Sequence, residues 1–259
     1  MKKYLLIAAF CLIFVPAAAL AQATAGGKNE QTVTTVTQDG FKKLFDDAQA
    51  HYNDEEYAKA AQLLQRALKI NPKSAEALYR LGSCYYELAL YIEAINSYQQ
   101  ALNIKPDYYE AVVYLGNAFD YDGQYAKAVE MYKKAIQLKP DEWQPYYELG
   151  IAQYNQKLYS DAVASFQDSI KRDATNARSF YYLGDSYRMQ NKYAEAIKAY
   201  QDTLKIDEES DLAYYGLGLA YVGQGNAAAA RIQYDKLRSL NPNLAAKLLQ
   251  EINKIQLAT

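Results

Sequence analysis

Residue types that commonly carry enzyme chemistry are scarce in this chain of 259 residues. The sequence contains one histidine, His51, and two cysteines, Cys11 and Cys84. A hydrolytic triad needs a nucleophile, a histidine base and an orienting group, and a structural zinc ion needs four ligands, mostly His and Cys. The composition therefore predicts no catalytic residue and no metal site.

Three local patterns have a superficial resemblance to functional motifs. Asp120 and Asp122 precede Gly123 too closely for the spacing of a calcium-binding loop. The glycine-rich stretch "GLGLAYVGQG" from Gly216 to Gly225 is not preceded by a predicted strand, as a phosphate-binding loop would be. The sequence contains a repeat of 34 residues, and most other copies have Ala at the position of Cys84. We therefore expect Cys84 to be a small buried residue. We predict a non-enzymatic protein without a cofactor.

Charge and composition narrow the class of partner and of fold. The formal net charge is −2, so the chain lacks the basic field that holds a nucleic-acid backbone, and no nucleic-acid partner is expected. Only 12 Gly and 6 Pro accompany many Ala, Leu, Lys, Glu and Gln residues. This balance favours an all-α protein.

The first 21 residues have the features of a secretory signal peptide. Lys2 and Lys3 precede the apolar run "YLLIAAFCLIFV", and Ala19 and Ala21 suit cleavage before Gln22. An uncleaved anchor is the alternative, and it would be the chain's only membrane contact. We predict an exported protein, periplasmic or secreted. Residues 22–40 are polar and small, which indicates a flexible linker or, alternatively, a short ordered arm.

The elements that would carry any site repeat along the chain with a fixed period. Pro72, Pro106, Pro140 and Pro242 are separated by 34 residues or a multiple of 34. With proline placed at position 32, residues 41–242 hold six units, each with two amphipathic helical patterns. The units are 41–74, 75–108, 109–142, 143–176, 177–210 and 211–244.

Small residues recur inside the units. Position 20 is Ala in all six units, and position 8 is Ala48 in the first unit and Gly in the other five. Glycine inside a helix costs about 1 kcal/mol relative to alanine, so we expect a neighbouring helix to approach closely there. The period and these small positions resemble the tetratricopeptide repeat family. The resemblance covers residues 41–244, about 204 of the 259 residues.

The resemblance implies an α-solenoid, a right-handed superhelix of helix-turn-helix units. A solenoid needs a cover at its end, and residues 243–259 suit one because Leu244, Leu248, Ile252 and Ile255 recur at helical spacing. We therefore predict a C-terminal capping helix. The resemblance also implies that the first helices line the concave side, with positions 2, 5, 9, 12 and 13 facing a ligand.

The chain has 27 tyrosines, and many of them have a structural explanation. Tyrosine opens the second helix at position 17 in five units and recurs at positions 11 and 24, where we expect core packing. A second set lies on the face that adjoins the buried stripe of the first helices, together with polar neighbours. We predict that this set lines a partner-binding groove: Phe45, Tyr52, Tyr79, Tyr86, Asn117, Asp120, Tyr147, Tyr154, Tyr181, Asp185, Arg188 and Tyr215. The alternative is that the rings only fill the seams between units.

These features predict a protein–protein interaction scaffold that binds a peptide segment or protein partner in a tyrosine-lined groove, within a bacterial envelope assembly. Binding of a glycan such as cell-wall polymer to the same rings is the alternative function. A clamp for the C-terminal carboxylate of chaperones is not expected, because Phe45 and Gln49 stand where the first unit of such relatives has Lys and Asn.

Overall fold

The computed structural model describes residues 29–257, with side chains from 37 to 255. Over this range the regular secondary structure consists of thirteen helices. In chain order they are α1 Asn29–Asn53, α2 Tyr57–Ile70, α3 Ala75–Glu87, α4 Tyr91–Ile104, α5 Tyr109–Tyr121, α6 Tyr125–Leu138, α7 Gln144–Asn155, α8 Tyr159–Arg172, α9 Ala177–Met189, α10 Tyr193–Ile206, α11 Asp211–Gly223, α12 Ala227–Leu240 and α13 Pro242–Leu257.

Of the two alternatives for residues 22–40, the described part from Asn29 agrees with the ordered arm and not with the flexible linker, because α1 begins at Asn29 and continues into the first unit without a break. Extending an existing helix avoids the cost of nucleation, and the segment contains no proline to stop it. Gly40 lies inside this helix. Residues 22–28, and the predicted signal segment 1–21, lie outside the described residues.

The helices stack in chain order as pairs. Each helix packs against the next one, and the first helices of consecutive units also contact one another, as in α3 with α5 and α7 with α9. Among the described helices, contacts between the second helices of consecutive units are at most marginal. The first helices therefore lie closer together than the second helices, which places them on the inner side of a curved stack. The all-α solenoid is confirmed.

The turn inside each unit has one backbone conformation. Position 15 has a positive φ in all six units, although only two units have glycine there: Glu55, Ala89, Gly123, Lys157, Asn191 and Gly225. Glycine adopts this left-handed conformation without strain, whereas the other residues adopt it at a cost. The turn is thus imposed by the packing of the two helices and not by local residue preference alone.

In units 2 to 5 the glycine at position 8 makes room for a side chain at position 24 of the same unit. A Cβ added to Gly116 would lie 2.7 Å from Cε1 of Tyr132, and one added to Gly150 would lie 2.6 Å from Cε1 of Phe166. The close approach predicted at this point is that of an aromatic ring to the helix backbone. Unit 1 has the smaller Leu64 at position 24, and there position 8 is Ala48.

Helix α13 covers the end of the stack. Leu248 and Ile252 of α13 are fully buried with Leu237 of α12, which replaces the smaller residues found at position 27 of the other units. Leu248 also fills the space beside Gly218. The outward side of the helix carries exposed polar residues such as Lys247 and Gln250, so it ends the apolar core with a polar surface.

The tyrosines expected in the core divide into two groups. Those at position 24 in units 2, 3 and 5 are at most 1% exposed. The tyrosines at position 17, which were predicted to be core, are only half-buried. They stand beside the turn at the edge of each unit, where solvent reaches one side of the ring.

None of the described helices has a stretch that is long and apolar enough to span a bilayer.

Candidate functional site

The predicted groove residues lie on the first helix of each unit. Because these helices are neighbours in the stack, the residues form one surface that runs along the molecule, which we call the inner face. All twelve are at least half-buried, and none projects fully into solvent. They are distributed over α1 (Phe45, Tyr52), α3 (Tyr79, Tyr86), α5 (Asn117, Asp120), α7 (Tyr147, Tyr154), α9 (Tyr181, Asp185, Arg188) and α11 (Tyr215).

The rings of units 2 and 3 form one cluster around Tyr114. The ring centroid of Tyr114 lies 5.8 Å from Tyr79, 6.0 Å from Tyr86 and 6.2 Å from the buried Tyr98. Edge-to-face and tilted contacts of this kind are favourable between aromatic rings. Burial raises the pKa of Tyr79 to about 12. We call this group the first ring cluster.

Units 4 and 5 repeat the arrangement around Tyr182. Its ring lies 6.0 Å from Tyr147, 6.1 Å from Tyr154 and 5.8 Å from Phe166. Tyr181 contacts the same ring at 5.1 Å. This second ring cluster has the geometry of the first, two units further along the chain.

Sequence reasoning missed the two central rings. Tyr114 and Tyr182 stand at position 6, which was outside both the buried stripe and the groove positions considered. The same position is Arg80 in unit 2, Glu148 in unit 4 and Gly216 in unit 6. The available signal was weak, because position 6 is aromatic in units 3 and 5 but is Asp46 in unit 1.

The packing of the rings across the seams is observed, whereas their binding of a partner stays a prediction. The rings pack across the seams between units, and they remain partly accessible on the inner face. Three further apolar side chains at groove positions are more exposed: Tyr121 at 64%, Leu212 at 48% and Met189 at 41%. Tyr121 stacks on Tyr91 with ring centroids 5.3 Å apart.

The polar side chains at position 9 accept hydrogen bonds from the tyrosine at position 24 of the same unit. The hydroxyl of Tyr132 donates to Oδ1 of Asn117 at 2.8 Å, and the hydroxyl of Tyr200 donates to Oδ1 of Asp185 at 2.7 Å. In unit 4 Phe166 has no hydroxyl, and position 9 is the apolar Ile151. Buried hydroxyl groups need a partner, so the residues at the two positions match.

Asp185 and Arg188 are paired with each other. Nη2 of Arg188 donates to Oδ1 of Asp185 at 2.7 Å, and Nε donates to the same oxygen at 3.0 Å. The hydroxyl of Tyr154 reaches the other carboxylate oxygen at 3.4 Å. This pair is already satisfied within the chain, so it offers a partner little unpaired charge.

Asp120 and Glu148 lie between the two ring clusters and lack such a counter-ion. Neither forms an ion pair within 4.0 Å among the described side chains. Burial, together with the charge of Asp120, raises the pKa of Glu148 to about 7, while Arg178 opposes that shift. Burial also raises the pKa of Asp120, while a hydrogen bond with the side chain of Asn155 opposes that shift, and Oδ1 of Asp120 is buried without a hydrogen-bond partner.

The two ends of the inner face are more closely joined to the core. Phe45 and Tyr52 pack against the core of unit 1, where the ring of Tyr52 lies 5.2 Å from Tyr57. Tyr215 packs against the core beneath α13. A cavity of about 400 Å³ opens beside the second ring cluster and is lined by Tyr147, Tyr181, Tyr182, Arg178, Asp207, Glu209, Asp211 and Leu212, among others.

Cys84 and His51, the described residues of the types that most often act as nucleophile, base or metal ligand, have surroundings that indicate structural roles. Burial raises the pKa of the fully buried Cys84 to about 12, so the thiol is not a reactive nucleophile at neutral pH. Nδ1 of His51 lies 2.6 Å from Oε2 of Glu56 at the turn of the first unit. In the described part of the chain, no group of three His, Cys, Asp or Glu residues could hold a metal ion.

Comparison with protein-family models gives repeat matches over most of the described chain. Two segments match a model described as TPR repeat, and three match models described as tetratricopeptide repeat. The former are residues 116–157 and 184–225, and the latter are 45–110, 165–198 and 212–244. A search of curated proteins found no significant match.

Solved structures with similar folds include proteins described as TPR or tetratricopeptide repeat proteins. A crystal structure of MamA shares 26% identity at a TM-score of 0.61, covering 66% of this chain and 94% of that protein. YrrB, described as a TPR protein with an unusual peptide-binding site, shares 19% identity at a TM-score of 0.62, covering 73% and 99%. A tetratricopeptide repeat protein from Parabacteroides merdae shares 17% identity at a TM-score of 0.72, covering 84% and 87%.

Proposed function

Because the chain belongs to the tetratricopeptide repeat family, whose members are interaction scaffolds for proteins or peptides, we propose that it holds a peptide segment of a partner on its inner face. The partner contacts the two ring clusters and the residues between them. The protein acts without catalysis, as members of the family generally do. It does so as an exported protein of a bacterial envelope assembly.

The observation that carries this proposal is the composition of the inner face. Solenoids commonly bind partners along their concave surface. Here that surface presents partly accessible tyrosines together with the exposed Tyr121, Met189 and Leu212. Aromatic side chains supply much of the energy at protein interfaces because they bury a large area with few rotatable bonds. Ordinary solvent-facing helices carry polar residues at such positions.

A second observation supports preorganised binding. The rings contact one another within each cluster, so their rotamers are restricted before a partner arrives. A surface that is already ordered loses less conformational entropy on binding than a mobile one. The inner face is therefore suited to a flexible segment that becomes ordered on a fixed template.

Site-specific photo-crosslinking in the native host tests the proposal. A photoreactive phenylalanine analogue replaces Tyr121, which is aromatic and 64% exposed on the inner face. The matched control places the same analogue at Ile232, which is 61% exposed on the second helix α12. We expect a discrete protein adduct from position 121 and none from position 232.

An adduct formed only from position 232 would contradict the proposal. An adduct at position 121 that is removed by glycan-cleaving enzymes, and not by protease, would instead support the carbohydrate alternative. Fractionation of the same cells tests export, because an exported chain is recovered in the envelope or medium fraction without its first 21 residues.

A further inference from the structure

The cavity beside the second ring cluster lies at a break in the pattern of the repeat. Its volume of about 400 Å³ is within the range of about 300–1,000 Å³ that small-ligand sites occupy. Arg178 and Leu212 in its wall stand at groove position 2, and Tyr181 stands at groove position 5. The cavity therefore borders the inner face where units 5 and 6 meet.

Between units 2 and 3, a ring of the chain itself occupies the equivalent space. Tyr108, at position 34 of unit 2, has its ring centroid 5.1 Å from that of Tyr79 at position 5. Both rings pack against the buried cluster that contains Ala101, at position 27 of the same unit. Positions 5, 27 and 34 of unit 2 thus meet around a tyrosine side chain.

The same three positions of unit 5 surround the cavity. They are Tyr181 at position 5, Thr203 at position 27 and Ser210 at position 34, and all three line it. Serine stands where unit 2 has Tyr108, and the remaining two positions keep a ring and a small buried residue. The cavity is therefore the space that a tyrosine ring fills in the other seam.

The ring of Tyr181 also lacks a neighbour from the next unit. Position 6 is Tyr114 in unit 3 but Gly216 in unit 6, so no side chain extends from there. Tyr181 contacts Tyr182 at 5.1 Å and Tyr200 at 5.9 Å, both within unit 5. Among the described rings none from unit 6 contacts it. An added ring would gain the favourable contacts that aromatic pairs make.

Two polar groups in the wall are without partners in the described chain. Ser210 is the N-cap of α11, but its side chain makes no capping hydrogen bond, whereas those of Ser74 and Asn176 cap α3 and α9. Arg178 forms no ion pair within 4.0 Å and lies over no described ring. Both groups can therefore contact an occupant.

The charges of the wall favour a neutral occupant over an anionic one. Besides Arg178, the wall contains the carboxylates of Asp207, Glu209 and Asp211. Asp207 accepts a hydrogen bond from the backbone N–H of Glu209 at 3.3 Å, and Asp211 accepts one from Nδ2 of Asn241 at 2.6 Å. Three carboxylates beside one guanidinium would repel a phosphate or carboxylate group.

On these grounds we propose that an aromatic side chain of the bound segment enters the cavity and stacks on Tyr181, in the place that Tyr108 takes between units 2 and 3. The inference rests on the proposed function and specifies one anchor of the partner. Arg178 covers the inserted ring, much as Lys105 lies over Tyr108 with Nζ 4.7 Å from the centroid. Buried aromatic anchors of this kind carry much of the energy of an interface.

A small aromatic compound tests the cavity directly. The probe is N-acetyl-tyrosinamide, and the matched control is N-acetyl-leucinamide, which is apolar but has no ring. Binding is followed by NMR on the isotope-labelled protein at up to about 10 mM compound, since a ligand of this size binds with a dissociation constant on the order of 1 mM. We expect shifts at Tyr181, Ser210 and Leu212, and an affinity about fivefold higher for the tyrosine compound.

Filling the cavity with a ring of the chain should block the probe. Ser210→Tyr restores the residue that unit 2 has at position 34, and it should weaken binding by at least about tenfold because the inserted ring takes the place of the probe. Glu142→Tyr places the same new ring at position 34 of unit 3, away from the cavity, and should leave binding unchanged. Circular dichroism verifies that both variants are folded.

The reciprocal change should create a second site. Tyr108→Ser removes the ring that fills the seam between units 2 and 3, so the probe should then also shift the signals of Tyr79. Wild-type protein should show no such shift, because its own ring occupies the space. This gain of binding keeps the test decisive even where Ser210→Tyr does not fold.

The natural partner is tested in the host. Ser210→Tyr combined with the photoreactive analogue at position 121 should reduce the yield of the protein adduct by about fivefold or more, since the anchor of the segment is excluded. Glu142→Tyr in the same background should leave the yield unchanged.

No shift around Tyr181 at about 10 mM probe, equal binding of the tyrosine and leucine compounds, or full binding by folded Ser210→Tyr would each overturn the inference. So would the absence of a new site in Tyr108→Ser. A protein adduct from position 121 that Ser210→Tyr leaves undiminished would refute the aromatic anchor and leave the scaffold function standing.

Discussion

At the scale of single residues, the charged carboxylate of Glu148 lowers the free energy of unfolding because it is buried. Its folded pKa is about 7, against an ordinary value of 4.5, because the charged form is buried beside Asp120. A raised folded pKa means that the charged state destabilises the protein, so stability falls as the pH rises from 4.5 through 7. Residues that serve binding often carry such a cost.

Replacing Glu148 by Gln should therefore stabilise the protein at pH 8 by about 1–3 kcal/mol, since each pKa unit corresponds to about 1.4 kcal/mol. Below pH 4.5 the wild-type carboxyl is protonated, and the two proteins should have nearly equal free energies of unfolding. Urea denaturation at pH 8 and pH 4 measures the difference. A stabilisation of the same size at both pH values would show that charge is not its cause.

At the scale of the helix pair, the unit is held by a ring that packs onto a glycine. Tyr132 is 1% exposed, its hydroxyl is bonded to Asn117, and its ring lies against the backbone at Gly116. The packing of a ring onto the glycine recurs in units 2, 4 and 5 with Tyr98, Phe166 and Tyr200. A fixed ring cannot move aside at low cost, so the glycine is required by packing and not by backbone conformation.

Gly116→Ala should destabilise the protein by about 1–3 kcal/mol, as overpacked cores do. Gly40→Ala is the matched control, because Gly40 is also inside a helix but its added Cβ would meet only Ile70 Cδ1 at an ordinary 3.6 Å. That change should stabilise the protein by up to about 1 kcal/mol, through helix propensity. Thermal and urea unfolding should show opposite signs for the two variants, and equal signs would refute the packing explanation.

At the scale of the whole molecule, the solenoid is a linear stack in which contacts connect neighbouring helices along the chain. Stability in such a stack is the sum of unit and interface terms, so damage at one end has a local effect. Helix α13 is the cover of that end, and Leu248 is its fully buried contact with the sixth unit.

Leu248→Ala should cost about 2–5 kcal/mol at the capped end, because it leaves a cavity in the last core. Hydrogen exchange should accelerate in α11, α12 and α13 and change little in α3 to α6. The exposed neighbour Lys247→Ala is the control and should leave exchange unaltered. Uniform acceleration along the whole chain would show that the molecule unfolds as one cooperative block and not as a stack.

The sequence alone was sufficient for the repeat and for most of the fold. The 34-residue period, the small residues at positions 8 and 20, and the apolar spacing of residues 244–255 are local features, and each depends only on the geometry of one helix or one pair. The residues at positions 8 and 24 also change together in the sequence. Unit 1 has Ala48 with Leu64, whereas the later units have glycine with an aromatic residue. Six units and a capping helix follow from these patterns.

The site depended on tertiary structure, because its contacts join different units. Tyr114 contacts rings 16 to 35 residues earlier in the chain, and Glu148 meets Asp120 from the preceding unit. The spacing and curvature of the stack decide which side chains share a seam, and no single helix encodes them. The periodic pattern therefore determined the scaffold, and the packing of one unit on the next decided which rings and charges meet on its inner face.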